Sequence, residues 1–317
     1  MANSTHVTVP GRRHRLWLLL VAVAVYAVVP QLGSFHQSVS QIRHAQLHFF
    51  LLAFATSMAT YLAAAATYCL LAIRPLPYGV TVIVQSAGMF INRLLPAGLG
   101  ALGVNYSYLR KKQHTATEAA AIIALNNVLG FLGNGVLLLA GVLLFRHDLP
   151  PLHRLHISRG FIALVVLVGA VGLLVALRPV WRRKVIVALK AFKSQISLYL
   201  QRRRRLIAAL VTSCALTLSN VVTLWLCLRS VHVHTSLLLV LLALSFGVLV
   251  GAAAPTPGGL GGVEAGVTAA LVVYHIPASS ALAGVLLFRA LTYWLALVLG
   301  AIAFIIVQRQ HWLNLKY

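Results

Sequence analysis

Acidic residues are scarce in this sequence, which has 3 Asp and Glu against 26 Lys and Arg in 317 residues. Only 9% of the residues are charged and 60% are hydrophobic. Because soluble domains are about 25% charged, an ordinary globular protein is excluded. So few carboxylates leave little for acid–base catalysis, and no nucleophile elbow, P-loop or zinc-binding HExxH motif occurs. We therefore expect that the protein is not an enzyme and does not use an ATP-driven mechanism.

Cysteine is also rare, with 3 residues in the chain, each inside an apolar run. An odd number of cysteines at Cys69, Cys214 and Cys227 gives neither a disulfide framework nor a metal-ligand spacing. The 13 histidines form no recognised metal motif either. The sequence therefore predicts no metal site and no cofactor.

The basic residues lie in short segments between long apolar runs. A nucleic-acid-binding protein needs a basic face on a soluble fold, so we expect no nucleic-acid partner. Apolar runs of about 20 residues are long enough to span a bilayer. The sequence predicts an all-α polytopic membrane protein with a single integral membrane domain over residues 1–317. About six full transmembrane helices are expected, at 16–34, 47–73, 118–145, 160–177, 206–229 and 279–307.

Two further apolar regions, 79–109 and 236–275, are each broken in the middle by proline and glycine. The pieces flanking the first break are about 17 Å long as helices, too short to cross a membrane. Irregular backbone is tolerated at that depth only inside protein or against water, which predicts two re-entrant hairpins. The residues expected to form the hinges or breaks are Pro96, Gly98 and Gly100 in the first hairpin and Pro255, Pro257, Gly258, Gly259 and Gly261 in the second.

The distribution of basic residues predicts the orientation in the membrane. With both hairpins re-entrant, 19 basic residues lie on one side and 5 on the other, with Arg93 and Arg289 inside the membrane. The richer side is expected to be cytoplasmic. We expect a protein of the cytoplasmic (inner) membrane with both termini cytoplasmic. The basic segment 178–205 has the pattern of an amphipathic helix on that surface, which binds anionic lipid or only anchors the topology.

The two breaks are similar in sequence: Pro96-Ala-Gly-Leu-Gly-Ala-Leu and Pro257-Gly-Gly-Leu-Gly-Gly-Val, about half the chain apart. Each half then has helix, helix, broken hairpin and helix, with the first repeat over about 16–145 and the second over about 160–307. Three crossings per half invert the second repeat relative to the first, the pattern of secondary transporters. The alternative is a chance match, because proline and glycine are common in membrane helices.

Nearly the whole chain resembles a known family. The segments Asn92-Arg-Leu-Leu-Pro96 and Tyr108-Leu-Arg-Lys fit the family's first conserved region. The more specific evidence is the block from Pro255 to Gly266, Pro-Thr-Pro-Gly-Gly-Leu-Gly-Gly-Val-Glu-Ala-Gly, and the later segment from Ala281 to Trp294. Both are similar to the transmembrane domain of lysylphosphatidylglycerol synthases and its stand-alone flippase-like relatives. The resemblance implies lipid translocation without lipid aminoacylation, since the synthase domain is missing from this sequence. Many members carry a Glu or Arg shortly after the first break, where this chain has Ala101, Gly103 and Val104.

Three ionisable residues are predicted to lie inside the membrane, where each is a functional candidate. Glu264 and Arg289 lie at similar expected depths, and Arg93 reaches the middle from the other side. With Asn92, they are the candidate substrate-binding residues. Two arginines and one carboxylate leave one positive charge to hold a phosphate, which arginine can contact with two hydrogen bonds. The alternative is that Glu264 and Arg289 only neutralise each other and hold the last helix to the hairpin.

These features together predict a lipid flippase that moves an anionic phospholipid or a polyprenyl-linked lipid across the membrane. The expected partners are anionic membrane lipids, with an envelope-lipid enzyme or further copies of the same chain in a homo-oligomer as additional candidates. One alternative function is a non-transporting membrane partner of an envelope-lipid enzyme. A second alternative is a secondary transporter of a small anion in which Glu264 couples transport to protons.

Overall fold

The computed structural model describes residues 38, 40–94, 99–144, 202–254 and 256–313. Within these ranges the chain forms helices and short connections, and no strand. The predicted helices 16–34 and 160–177, and the basic segment 178–205 up to residue 201, lie outside the described residues.

The described helices agree with the spans expected from hydropathy. In chain order they are α1 (Leu47–Leu71), α2 (Tyr78–Leu94), α3 (Leu99–Lys111), α4 (Ala116–Leu144), α5 (Arg203–Ser230), α6 (Leu237–Ala253), α7 (Gly262–Val273), α8 (Ala278–Arg289) and α9 (Ala296–Arg309). A 3₁₀ turn, Pro257–Gly259, lies between α6 and α7, and a π-helical turn, Ala290–Leu295, joins α8 to α9. Four continuous helices, α1, α4, α5 and α8 through α9, are long and apolar enough to cross a membrane. The prediction of an all-α polytopic membrane protein is confirmed.

Helices α1 and α5 are antiparallel, and hydroxyl pairs join them along their length. Thr56 is 2.9 Å from Thr223, and Thr67 is 2.9 Å from Thr212 (Oγ1 to Oγ1). The end of α1 and the start of α5 therefore lie at the same end of the molecule. This basic end carries nine of the described Lys and Arg: Arg74, Arg110, Lys111, Lys112, Arg202, Arg203, Arg204, Arg205 and Arg309. Arg43 and Arg229 lie at the opposite end.

Two apolar cores occupy the two ends. The core at the opposite end contains residues of α5 to α8, and the core at the basic end contains residues of α1 to α4 together with α9. The pair α2 and α3 starts and finishes at the basic end, whereas α6 and α7 start and finish at the opposite end. The tips of the two pairs meet, since a Cβ on Gly258 would lie 3.4 Å from Cγ of Arg93. The end of α2 and the 3₁₀ turn Pro257–Gly259 are therefore adjacent in space.

Four glycines allow α6 and α7 to pack closely. They are Gly247 and Gly251 on α6 and Gly262 and Gly266 on α7, with four-residue spacing on each helix. A Cβ on Gly266 would lie 2.8 Å from Cα of Gly247, and one on Gly262 would lie 3.0 Å from Cα of Gly251. Small residues at this spacing bring membrane helices into backbone contact. The α6–α7 pair is therefore closely packed up to Gly251 and Gly262, next to its tip.

At the basic end, His114 is fully buried between the α1–α2 connection and the turn before α4. Its Nε2 accepts a hydrogen bond from the backbone N–H of Arg74 at 3.2 Å, and its Nδ1 lies 3.2 Å from the carbonyl oxygen of Leu109. Both contacts are satisfied by the neutral ring with a proton on Nδ1. The next residues, Thr115 and Glu118, form a capping box at the start of α4.

The burial of His114 predicts an acid-sensitive fold at this end. Loss of solvation lowers the pKa of its imidazole in the folded state, so below about pH 6.5 the unfolded chain binds the proton more readily. The stabilisation from the neutral ring is thus complete above about pH 6.5 and is lost as the pH falls. We expect the unfolding temperature in detergent to fall between pH 7.5 and 5.5, and to fall less in His114→Gln. The exposed His234, replaced by Gln, is the control and should keep the wild-type pH slope; equal slopes in all three proteins would contradict the prediction.

Candidate functional site

Arg93 lies in the last turn of α2 and donates hydrogen bonds to two backbone carbonyls. Its Nη1 contacts the carbonyl oxygen of Met89 at 3.0 Å, and its Nη2 contacts that of Thr292. Thr292 belongs to the π-helical turn of the last span. Such single wide turns inside α-helices occur frequently at functional sites. Arg93 therefore connects the tip of the α2–α3 pair to an irregular point of the last helix.

Arg289, at the end of α8, forms an ion pair with Glu264 in the first turn of α7. Nε of Arg289 is 2.6 Å from Oε1 of Glu264, and the two side chains are only 10% and 14% exposed. Nη2 of Arg289 also donates to the carbonyl oxygen of Gly258 at 3.2 Å. One guanidinium thus holds both the 3₁₀ turn in the break and the first turn of α7.

Both guanidinium groups pack against the ring of Tyr293. The Cζ atom of Arg289 lies 4.7 Å from the ring centroid and that of Arg93 lies 5.7 Å from it. Tyr293 is 5% exposed, and the two cations are close enough to repel each other. Tyr61 of α1 is a further neighbour within electrostatic range of Arg93. We call Arg93, Glu264, Arg289 and Tyr293 the arginine site.

The arginine site carries one positive charge in excess and has unused hydrogen-bonding capacity. Its two guanidinium groups face a single carboxylate. Among the described residues, three buried atoms at or beside the site have no hydrogen-bond partner: Nε of Arg93, Oε2 of Glu264 and Oδ1 of Asn92. Buried polar atoms are nearly always paired, so these vacant positions indicate a place for a polar ligand. Chemically, the site can bind an anion and accept a further hydrogen bond.

Glycine is required at the tip of the second pair. Gly258 and Gly261 have φ angles of 60° and 80°, which disfavour any residue with a Cβ. At Gly258 the added carbon would also lie 2.5 Å from Cε2 of Tyr293. The start of α3 lies equally close to the end of α2. A Cβ on Gly100 would overlap the backbone of Ile91 and lie 2.6 Å from the nitrogen of Asn92.

The contact between Gly258 and Tyr293 can be tested by substitution. Gly258→Ala places alanine at φ 60° and ψ 20°, in the left-handed region, at a cost of about 1–2 kcal/mol. It also displaces Tyr293, whereas nothing lies within 4 Å of a Cβ on Gly261. We expect Gly258→Ala to lower the free energy of unfolding by about 1–3 kcal/mol beyond its backbone cost. A loss of no more than about 1–2 kcal/mol in denaturant titrations in detergent would show that Tyr293 is free to move.

The structure brings together the three charged residues singled out from the sequence, with Asn92 one residue before Arg93. Pro257, Gly258 and Gly259 form the 3₁₀ turn, Gly261 precedes α7, and Gly100 is the second residue of α3 and lies beside Ile91. Pro96, Gly98 and Pro255 lie outside the described residues.

The sequence does not single out Tyr293 as part of the arginine site, nor the two groups that neighbour Arg93, which are the carbonyl of Thr292 and the phenol of Tyr61. The π-helical turn that presents Thr292 has no mark in its sequence, Ala-Leu-Thr-Tyr-Trp-Leu. The spacing of Arg289 and Tyr293, four residues apart, was the one available signal, since it places both side chains on the same face of a helix.

This arrangement defines a multi-pass α-helical membrane protein with a buried ion pair where two broken helix pairs meet. The profile of the family described as the lysylphosphatidylglycerol synthase TM region matches residues 16–300. That range covers most of the chain, so the chain belongs to this family, and the resemblance seen in the sequence is confirmed. No curated protein matches the chain.

Proposed function

We propose that this protein is a lipid flippase, and that the arginine site binds the phosphate of an anionic phospholipid or polyprenyl-linked lipid. The observation that carries the proposal is the excess positive charge around Tyr293, with buried polar atoms left vacant, at the meeting point of two helix breaks. The arginine side chain suits a phosphate because its planar fork donates two parallel hydrogen bonds. The protein itself carries out no covalent chemistry in this proposal.

The depth of the arginine site supports this assignment. Arg93 lies 15 residues after Tyr78 and Arg289 lies 11 residues after Ala278, or about 22 Å and 17 Å of helix from the two ends. Together these lengths amount to about 40 Å, close to the thickness of a bilayer with its headgroups. We propose that α2–α3 and α6–α7 are re-entrant hairpins of two inverted repeats, and that a headgroup reaches the site from either side.

The charges at the ends support an orientation. The basic end carries nine of the eleven described Lys and Arg outside the arginine site. Cytoplasmic surfaces of membrane proteins are enriched in such residues. We propose that the basic end faces the cytoplasm, that the protein resides in the cytoplasmic (inner) membrane, and that both termini are cytoplasmic. Its partners are then membrane lipids of the anionic class.

Reconstitution in liposomes tests the proposed function. Fluorescent phosphatidylglycerol and phosphatidylcholine are placed in one leaflet, and their appearance in the other is followed by quenching of exposed probe. We expect movement of phosphatidylglycerol to exceed both that of phosphatidylcholine and the background of empty liposomes. Radiolabelled glycerol 3-phosphate outside the same vesicles separates a lipid headgroup from a free phosphate ester of similar structure.

The alternatives predict different results in this experiment. Uptake of glycerol 3-phosphate without lipid movement would indicate the small-anion transporter. Absence of both, with folded protein shown by circular dichroism and with several anionic lipids and imposed ion gradients tried, would indicate the non-transporting partner of an envelope-lipid enzyme. Equal movement of anionic and zwitterionic lipids would contradict the role of the arginine site.

A further inference from the structure

Only one of the two carboxylate oxygens of Glu264 accepts a hydrogen bond from a described residue. Its Oε1 accepts from Arg289, while its Oε2 is buried and has no partner among the described residues. An ionised carboxylate offers two oxygens and about four lone-pair positions, so a buried vacant oxygen is unfavourable unless a ligand fills it. Oε1 of Glu264 therefore joins α7 to α8 through Arg289, whereas Oε2 has a free position for a hydrogen-bond donor.

Thr268 provides a second vacant group on the same helix face. Its side chain is 4% exposed, and its Oγ1 also has no partner among the described residues. A buried threonine in a helix often donates to the carbonyl four residues earlier, as Thr223 and Thr292 do here. Thr268 does not. Because Glu264 and Thr268 are four residues apart on α7, their side chains are neighbours.

We infer that Oε2 of Glu264 and Oγ1 of Thr268 form a subsite that binds a hydroxyl group of the lipid headgroup. This inference rests on the proposed function, with the phosphate held by Arg93 and Arg289. It makes a phosphodiester with a polyol headgroup the preferred substrate class. The hydroxyl donates to the carboxylate oxygen, and the threonine supplies an adjacent donor or acceptor.

The charges of the arginine site favour a hydroxyl over an ammonium group. The two guanidinium groups and the carboxylate leave a single positive charge, which one phosphodiester neutralises. An ammonium group would restore a positive charge next to two arginines, and no second carboxylate lies nearby in the described part of the chain. A second negative charge, as on a phosphate monoester, would instead approach Glu264. A neutral donor avoids both costs in a medium of low dielectric constant.

The hydroxyl subsite predicts different transport rates for two lipids of equal charge. Phosphatidylglycerol and phosphatidylmethanol are both phosphodiesters with one negative charge, but only the first has headgroup hydroxyls. In proteoliposomes containing both fluorescent lipids, we expect wild-type protein to move phosphatidylglycerol about tenfold faster, the effect of one hydrogen bond to a charged group. Phosphatidylethanolamine, which offers an ammonium group, should move more slowly than phosphatidylglycerol as well.

Variants then assign the preference to these two residues. Thr268→Val keeps the side-chain shape, and Glu264→Gln places a donor or a neutral oxygen at the vacant position; each should lower the ratio of the two rates severalfold. Thr212→Val, at a half-buried threonine paired with Thr67 on α1, is the control and should leave the ratio unchanged. Unfolding temperatures of all variants are recorded, and Thr268→Val keeps the test valid if Glu264→Gln fails to fold.

The outcomes separate the inference from the function on which it rests. Equal rates for phosphatidylglycerol and phosphatidylmethanol in wild-type protein would overturn the hydroxyl subsite and leave the flippase intact. A wild-type preference that survives both Thr268→Val and Glu264→Gln would overturn the assignment to these residues. Faster movement of phosphatidylethanolamine would show that the subsite takes an ammonium group. If no lipid moves at all, the proposed function fails and the subsite with it.

Discussion

Replacing Arg289 with alanine is expected to lower the free energy of unfolding by about 3–5 kcal/mol, because it leaves a buried carboxylate without its counter-charge. Arg289 is 8% exposed, pairs with Glu264 at 2.6 Å and also holds the carbonyl of Gly258. No other described residue forms an ion pair with Glu264. Unfolding in mixed micelles of increasing denaturing-detergent content measures the change.

The double variant distinguishes a charge effect from a loss of packing. Adding Glu264→Gln to Arg289→Ala removes the stranded charge, so we expect it to restore a large part of the lost stability. Arg229→Ala serves as the control, since Arg229 packs on Trp225 at 4.7 Å without a carboxylate among the described residues. Additive losses in the double variant would contradict the buried-charge explanation and would mean that water reaches Glu264.

Arg93→Gln is expected to reduce movement of anionic lipid about ten- to hundredfold, since a hydrogen bond to a charged group contributes about 1.5–3 kcal/mol. The excess positive charge of the arginine site disappears with this change, while Glu264 and Arg289 stay paired. Stability should change less than in Arg289→Ala, because Arg93 has no carboxylate partner among the described residues. Rates are measured in the liposome assay with phosphatidylglycerol.

The control for Arg93 is another arginine packed on an aromatic ring. Arg229→Gln removes a cation from the ring of Trp225 at the opposite end, far from the arginine site. It should leave the lipid rate near the wild-type value. A similar loss of lipid-transport rate in Arg93→Gln and Arg229→Gln would show that the effect is not specific to Arg93. It would contradict a phosphate-binding role for the arginine site.

The helices and their breaks could be predicted because local sequence determines them. The apolar run over 47–73 exceeds the thickness of a bilayer and appears as α1 with nearly the expected bounds. The proline and glycine pairs from Pro255 to Gly262 cannot continue a helix, and the structure places a 3₁₀ turn there.

The remaining parts of the site depend on contacts between distant residues. Tyr293 stacks on Arg93 only because α9 packs along α2, where a Cβ on Gly300 would lie 2.7 Å from Cβ of Phe90. The π-helical turn has ordinary apolar residues, and nothing in their order distinguishes it from an α-helix. The pairing of Glu264 with Arg289 was predictable, because both were expected at the same depth from the same surface.

The hydrogen bond between Arg93 and Thr292 has a consequence for synthesis of the chain. The two residues are 199 positions apart, so at about 5–20 residues per second Arg93 is made some 10–40 s before its acceptor. During that interval the guanidinium can form only one of its two hydrogen bonds, to the Met89 carbonyl of its own helix, with the phenol of Tyr61 as a neighbour. A cation so poorly solvated is costly in lipid, so on the proposed topology we expect the α2–α3 segment to stay in water or beside the insertion machinery until the last helix is made. A chain that stops before residue 292 should then be retained there and degraded.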